Sequence, residues 1–307
     1  MKRMIGAAAV CLAAFGLLLG CRAQKEEPAV PATPAQTAAA QEESVQIAES
    51  TAVPETLPPT PTPTPAPTPE PTPVPTPEPE RITAEMLDSG AYDGYFDDAV
   101  LIGDSLTRTL GGYTRGIRQK DPAFLGGAKF MGTTSMSVKN ACTNKAYPGG
   151  ISFEVKGKAV SVTDGIKAYG AKKVFILLGM NDIGCRRWED VEESFRTLID
   201  CIREACPDVE IIIEGILPVA KSYCRSNDVR IEKWNSFNEI LADICREKNV
   251  TFLSFAEQLM DENGYLLAKY ADGGYHLNPE GNALWVRTLR LYAARQMHPD
   301  AVVDIPE

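Results

Sequence analysis

The stretch that decides the fold is Ala99-Val100-Leu101-Ile102-Gly103-Asp104-Ser105-Leu106-Thr107, an apolar run that turns polar at a Gly-Asp-Ser corner. A short continuous apolar run ending at a glycine predicts a buried parallel strand, and the residues from Leu106 to Gly111-Gly112 predict one short helix behind it. Ser105 then falls where the strand stops and the helix begins. Unpaired backbone N–H groups and the positive end of the helix dipole stabilise negative charge at such a corner. A serine there serves as a nucleophile or as a helix cap, a task that Ser and Asp commonly perform.

Two further blocks extend the pattern. The apolar run Lys173-Val174-Phe175-Ile176-Leu177-Leu178 ends in Gly179-Met180-Asn181-Asp182, and Tyr275-His276-Leu277-Asn278-Pro279-Glu280-Gly281 lies near the C-terminus. Additional strands are predicted at 128–131, ending at Gly132, at 210–215 and at 250–253. Helices are predicted at 162–169, ended by Gly170, at 191–206, stopped by Pro207, and at 229–248 and 279–297. Residues 151–162 alternate apolar and polar positions around Lys156-Gly157-Lys158, which predicts a hairpin at the edge of the domain. Strands alternating with helices imply a parallel sheet covered on both faces. The expected fold class is therefore α/β, a three-layer α/β/α sandwich of flavodoxin-like type with a central parallel sheet of about five strands. Right-handed crossovers bring the strand ends carrying Ser105, Gly132 and Asn181 to one edge of that sheet, where open α/β folds bind ligands. The loop before the last helix brings His276 to the same edge.

Taken as an ordered set, GDS, a glycine after the second strand, GxND and a late histidine before NPEG make the chain resemble the SGNH (GDSL) hydrolase family, over the region from about Ala99 to about Leu291. The resemblance implies a cofactor-free serine esterase working through an acyl-enzyme. It assigns Ser105 as nucleophile and His276 as base, with an oxyanion hole made by the backbone N–H of Ser105, the backbone N–H of Gly132 and the side-chain amide of Asn181. The chemistry needs this pair, because an unassisted hydroxyl is a weak nucleophile at neutral pH and an imidazole can accept and return its proton. Only one other histidine exists, His298, near an end expected to fray. A capping or core position beside Pro279 is the competing reading of His276. Asp104 and Asp182 are expected to brace their loops.

The acid departs from the family pattern. An Asp usually precedes the histidine by three positions, but Gly273 stands there and the nearest carboxylate is Asp272. Gly273-Gly274 can absorb the extra residue as a bulge, because glycine reaches backbone angles that other residues resist. Asp272 is thus the candidate orienting carboxylate; without its contact a backbone carbonyl holds His276 and a Ser-His dyad remains. The expected substrates are small acyl esters, O-acetyl groups of carbohydrate in particular, and the same constellation serves lipases, thioesterases and acyltransferases. A reading from another class is a surface carbohydrate-binding protein without turnover. Trp188, Tyr223, Trp234 and Tyr113 lie in or near segments that can line the mouth, Arg186-Arg187 follow the GxND loop, and Trp234 and Trp285 fall in helical patterns that predict packing.

Ahead of this region the composition changes. Met1-Lys2-Arg3 followed by the apolar run from Met4 to Gly20 predicts a secretory signal, too short for a membrane span. Leu18-Leu19-Gly20-Cys21 resembles the lipobox of bacterial lipoproteins, in which the cysteine is lipidated and acyl chains hold the protein on the outer face of a membrane. The residues 22–81 are rich in Ala, Glu, Gln, Thr and Pro, including Thr60-Pro61-Thr62-Pro63-Thr64-Pro65, and predict an extended linker. The expected organisation is a signal over 1–21, a disordered linker over 22–81 and a hydrolase domain over 82–307. A net charge of −10 argues against a nucleic-acid partner. The eight cysteines include no CxxC pair, so a structural metal is not expected. Cys142, Cys185, Cys201, Cys206, Cys224 and Cys245 permit disulfides without requiring them, and Cys201 and Cys245 suit buried thiols. Oligomeric state is left open.

Overall fold

The computed structural model describes residues 79–184 and 186–305. The chain divides into two units, Met1–Pro71 and Thr72–Glu307, and every described residue belongs to the second. The expected signal, Cys21, Cys185 and nearly all of the linker lie outside the described residues.

In chain order the strands are β1 (Arg81–Thr83), β2 (Ala99–Gly103), β3 (Lys129–Gly132), β4 (Phe153–Val155), β5 (Lys158–Val160), β6 (Lys173–Leu177), β7 (Glu210–Glu214), β8 (Thr251–Leu253), β9 (Ala271–Asp272), β10 (His276–Leu277) and β11 (Val302–Asp304). The helices are α1 (Ala84–Asp88), α2 (Ser105–Arg118), α3 (Val138–Ala141), α4 (Val162–Tyr169), α5 (Trp188–Ala205), α6 (Lys221–Asn227), α7 (Ile231–Lys248), α8 (Ala256–Leu259) and α9 (Pro279–Met297).

A five-stranded, wholly parallel sheet forms the centre, in the order β3-β2-β6-β7-β8. All five residues of β2 are buried, as a strand covered on both faces requires. Helices α2 and α9 pack together, and α4, α5 and α7 form a second cluster, giving the three-layer arrangement. Chain order runs outward from β2 to β3 on one side and from β6 to β8 on the other. The switch between those directions falls between β2 and β6, so the loops after these two strands flank a crevice, the usual ligand position in such sheets.

Close approach at that crevice accounts for Gly103. A Cβ there would stand 2.2 Å from Thr107 Oγ1 and 2.4 Å from the Leu177 carbonyl oxygen, so only glycine lets β2 turn into α2 beside β6. Helix α2 runs on to Arg118, past the Gly111-Gly112 pair expected to end it. Gly111 is instead a packing position, since its missing Cβ would lie 3.0 Å from the Phe130 side chain on β3.

The end of the chain is also more ordered than expected. Strand β11 pairs in parallel with β1, and His298 Nδ1 lies 2.8 Å from Glu80 Oε2, so His298 sits in a tied segment and not a frayed one. Deeper in, Arg290 of α9 grips Asp93 through two bonds, Nε to Oδ1 at 2.7 Å and Nη2 to Oδ2 at 2.6 Å, both groups being buried. This bidentate geometry fixes α9 against the segment that leads into β2. The described cysteines Cys142, Cys201, Cys206, Cys224 and Cys245 are free thiols.

Candidate active site

Ser105 is the first residue of α2, and Asp104 is its N-cap. The Asp104 carboxylate accepts a hydrogen bond from Leu106 N at 2.9 Å through Oδ1 and from Asn181 Nδ2 at 2.9 Å through Oδ2. The Gly-Asp-Ser corner is thereby capped by its aspartate, which leaves the serine hydroxyl free of the capping task. Burial pushes the Asp104 carboxyl up to about 7.

His276 begins β10, two residues before the N-cap of α9. Asn278 caps that helix by accepting from Gly281 N at 2.9 Å, its own amide donates to Lys269 O at 2.8 Å, and Pro279 opens the first turn. These contacts set the histidine loop, and His276 Nε2 arrives 2.9 Å from Ser105 Oγ. The imidazole also lies against the Tyr275 ring, with centroids 4.5 Å apart and planes inclined by 31°.

Asn181 follows β6 and is tied to the residue before the serine. Its Nδ2 donates to Asp104 Oδ2 and to Met136 O at 3.1 Å, which engages both amide hydrogens. Asp182 is fully buried and accepts from Val138 N at 2.8 Å, so it holds the start of α3 beside the site. It also pairs with Arg186 at 3.4 Å, while burial raises its pKa. Gly132 ends β3 with its Cα pressed on α2, where an added Cβ would stand 2.3 Å from Arg108 N.

Asp272 does not meet the imidazole. It is the direct partner of His276 across the β9–β10 ladder, yet its side chain is exposed and makes no hydrogen bond or ion pair with His276 among the described residues. The three residues Gly273, Gly274 and Tyr275 close this ladder, with Gly273 at φ +85°. The glycines make the turn, but it leaves the carboxylate in solvent and does not carry it to the imidazole as the spacing argument expects.

Ser105 and His276 open on a cavity of about 400 Å³ that is also lined by Arg108, Thr109, Thr134, Ser135 and Tyr275. Of these, Arg108, Thr109, Thr134 and Ser135 escape motif reading. Arg108 and Thr109 lie one turn into a helix, and Arg108 Nη1 donates to Thr134 Oγ1 at 2.9 Å across the cavity. Ser135 has φ +60° in a turn closed by Met136 N to Thr133 O at 3.1 Å, a conformation that ordinarily selects glycine. A polar Thr-Thr-Ser turn directly after Gly132 was the available signal.

A parallel α/β/α sandwich that sets a serine–histidine pair at its switch point is the architecture of a serine hydrolase. Residues 101–284, more than half of the chain, match the model of the GDSL-like lipase/acylhydrolase family, and the chain belongs to that family of ester hydrolases. In fold it is similar to a candidate acylhydrolase from Bacteroides fragilis, at 13% identity and a TM-score of 0.51, over 65% of this chain and 87% of that one. It is likewise similar to a GDSL-like lipase from Bacteroides thetaiotaomicron, at 12% identity and a TM-score of 0.51, over 68% of this chain and 98% of the other. Among curated proteins none matches the chain.

Proposed function

We propose that the chain is a serine esterase that removes small acyl groups, O-acetyl above all, from carbohydrate through an acyl-enzyme, while tethered to a membrane by lipid on Cys21. The observation that carries the catalytic reading is the 2.9 Å approach of His276 Nε2 to Ser105 Oγ. In the first half-reaction Oγ attacks the acyl carbon and its proton passes to Nε2; that proton then goes to the departing sugar oxygen as the C–O bond breaks. Water repeats the transfer in the second half, releasing the acid and restoring both side chains.

The oxyanion that forms in each half needs donors already aimed at it. The backbone N–H of Ser105 at the start of α2 and the Asn181 amide supply two, and the backbone N–H of Gly132, at the end of β3, supplies the third. Because both Asn181 hydrogens are engaged in the resting site, the amide gives up its bond to Asp104 or to Met136 when the oxyanion forms. The exposed Asp272 favours a Ser-His dyad over a triad.

The cavity wall supports short acyl groups. Arg108, Thr109, Thr134 and Ser135 offer hydroxyls and a guanidinium, which suit a sugar and not a long hydrocarbon chain. A lipase or thioesterase would bury its acyl chain against apolar side chains. Leu18-Leu19-Gly20-Cys21 and the proline-rich stretch behind it support the anchoring, since lipid on Cys21 would hold the domain on the outer side of a membrane, toward glycan substrates.

Nitrophenyl esters of increasing acyl length, together with acetate release from acetylated xylan and acetylated peptidoglycan, test the substrate. The reading expects the acetyl ester to be cut fastest and acetate to be released from at least one polymer. Faster cleavage of long acyl esters would replace it with a lipase. Loss of membrane association in Cys21→Ala tests the anchor.

A further inference from the structure

Beyond the serine site, one cavity combines charge and aromatic surface in a way the hydrolytic chemistry does not use. It has a volume of about 310 Å³ and is lined by Arg186, Arg230 and Lys233, with Trp188 and Trp234 in its walls. Asp228 is the one carboxylate on its wall among the described residues, so the cavity is locally cationic in a chain whose net charge is −10. Local charge of this kind selects ligands of opposite sign even where the whole molecule repels them.

These cations are only partly used within the fold. Arg186 shares the buried Asp182 at 3.4 Å. Arg230 and Lys233 are exposed and form no ion pair among the described residues. Lys233 is nonetheless positioned, with Nζ 4.8 Å from the centre of the Trp188 ring. Helices α5 and α7, each 18 residues long, both begin at this cavity, and neither has a capping side chain. First-turn carboxylates, Glu189 and Asp190 in α5 and Glu232 in α7, offset these helix ends, so the cationic character of the cavity comes from its three side chains.

The cavity is joined to the serine site by a run of touching rings. His276 lies against Tyr275 at 4.5 Å, Tyr275 against Tyr223 at 5.3 Å, and Tyr223 against Trp234 at 6.1 Å. The distance from the imidazole to the cavity wall cannot exceed the sum of these three steps. Ala220 N also donates to Gly274 O at 2.7 Å, which ties the segment before α6 to the histidine hairpin. A polymer with its ester at Ser105 therefore has a second contact point within a few sugar lengths.

We propose that this cleft binds an oxyanion borne on the same glycan, a carboxylate or a phosphodiester, so that the enzyme acts on an acidic polysaccharide. The proposal deepens the esterase reading and rests on it for the word substrate, but the cleft is testable by binding alone. Arg230 supplies a planar guanidinium suited to either oxyanion, and Lys233 supplies a point charge beside it.

The test uses the full chain carrying Ser105→Ala, so that ligands are not consumed. Its affinity is measured by calorimetry for a galacturonate oligomer, a phosphodiester-linked saccharide oligomer and a neutral xylan oligomer, then again with Arg230→Glu and Lys233→Glu added. At least one acidic oligomer is expected to bind about tenfold or more tightly than the neutral one, and to lose about tenfold or more in the charge-reversed variant. Whichever acidic oligomer behaves so identifies the source of the oxyanion. Equal affinity for all three, or tight binding that survives the reversals, overturns the proposal. Hydrolysis of nitrophenyl acetate by the unsubstituted chain checks the esterase reading separately, so failure of one is distinguishable from failure of the other.

Discussion

Asp104 Oδ2 accepts a hydrogen bond of 2.9 Å from Asn181 Nδ2, which ties the residue before the serine to the residue after β6 across 77 positions of sequence. The same carboxylate caps α2 through Leu106 N. One side chain thus fixes the start of the serine helix and the amide proposed to receive the oxyanion, so the two cannot drift apart independently.

Replacement separates these functions. Asp104→Asn keeps an oxygen that can accept from either N–H, whereas Asp104→Ala removes the cap, at a cost of about 1 kcal/mol, and releases the Asn181 amide. The alanine variant is expected to lose about tenfold or more in kcat with KM little changed, and Asp104→Asn to recover most of that loss. Steady-state kinetics on nitrophenyl acetate, beside a urea unfolding curve, measure both effects. Equal kinetics in the two variants would show that the brace is irrelevant to turnover.

Asn181→Ala addresses the oxyanion directly. Removing one donor of this kind lowers kcat by about 10²–10³. Because Asn181 also donates to Met136 O, near-UV circular dichroism should accompany the kinetics to show that the fold persists. A fall confined to KM would place Asn181 in ground-state binding instead.

For Asp272 the expectation is nearly the opposite. Its side chain is exposed and makes no contact with the imidazole among the described residues, so Asp272→Asn should retain kcat within about threefold, far from the ten-thousandfold fall typical when an orienting triad aspartate is lost. A fall of orders of magnitude would mean that the carboxylate swings onto His276 during catalysis.

Glu214 gives the fold a pH dependence away from the site. It is wholly buried at the end of β7, one oxygen accepts from Trp285 Nε1 at 2.6 Å, and the other has no partner among the described residues. Burial pushes its carboxyl up to about 8, above the ordinary value of 4.5. A raised carboxyl binds its proton more tightly in the folded state, so its stabilising effect is full below about 4.5 and is lost toward pH 8, at up to about 1.4 kcal/mol per pH unit. Glu214→Gln keeps an acceptor for Trp285 and has no charge to bury. Its melting temperature should therefore gain on that of the parent as pH rises from about 5 to about 8. The buried Asp104 acts in the same sense in both proteins, so the difference isolates Glu214. Parallel curves would contradict the assignment.

Much of this architecture is legible in the residues because buried strands ending in glycine and amphipathic helices bounded by Gly170 or by Pro279 carry strong local signals. Helix α4 and helix α9 fall where periodicity places them, and the hairpin turns at Lys156-Gly157, where both residues have positive φ. Other features are tertiary. Gly111 looks like a helix stop until Phe130 is seen against it, and α6, Lys-Ser-Tyr-Cys-Arg-Ser-Asn, has no apolar period to reveal it. The outward turn of Asp272 depends on how three residues close a two-residue ladder, which spacing does not specify. Ser135 adopts a glycine-like conformation with no glycine to announce it.

The central claim is that Ser105 is a nucleophile made reactive by His276, and covalent trapping tests it most directly. Intact mass and peptide mapping of the folded full chain after exposure to a fluorophosphonate should show one adduct, on Ser105. The adduct should vanish in Ser105→Ala and form far more slowly in His276→Ala. A folded protein that takes up no label, or one that labels equally well without Ser105, would contradict the account.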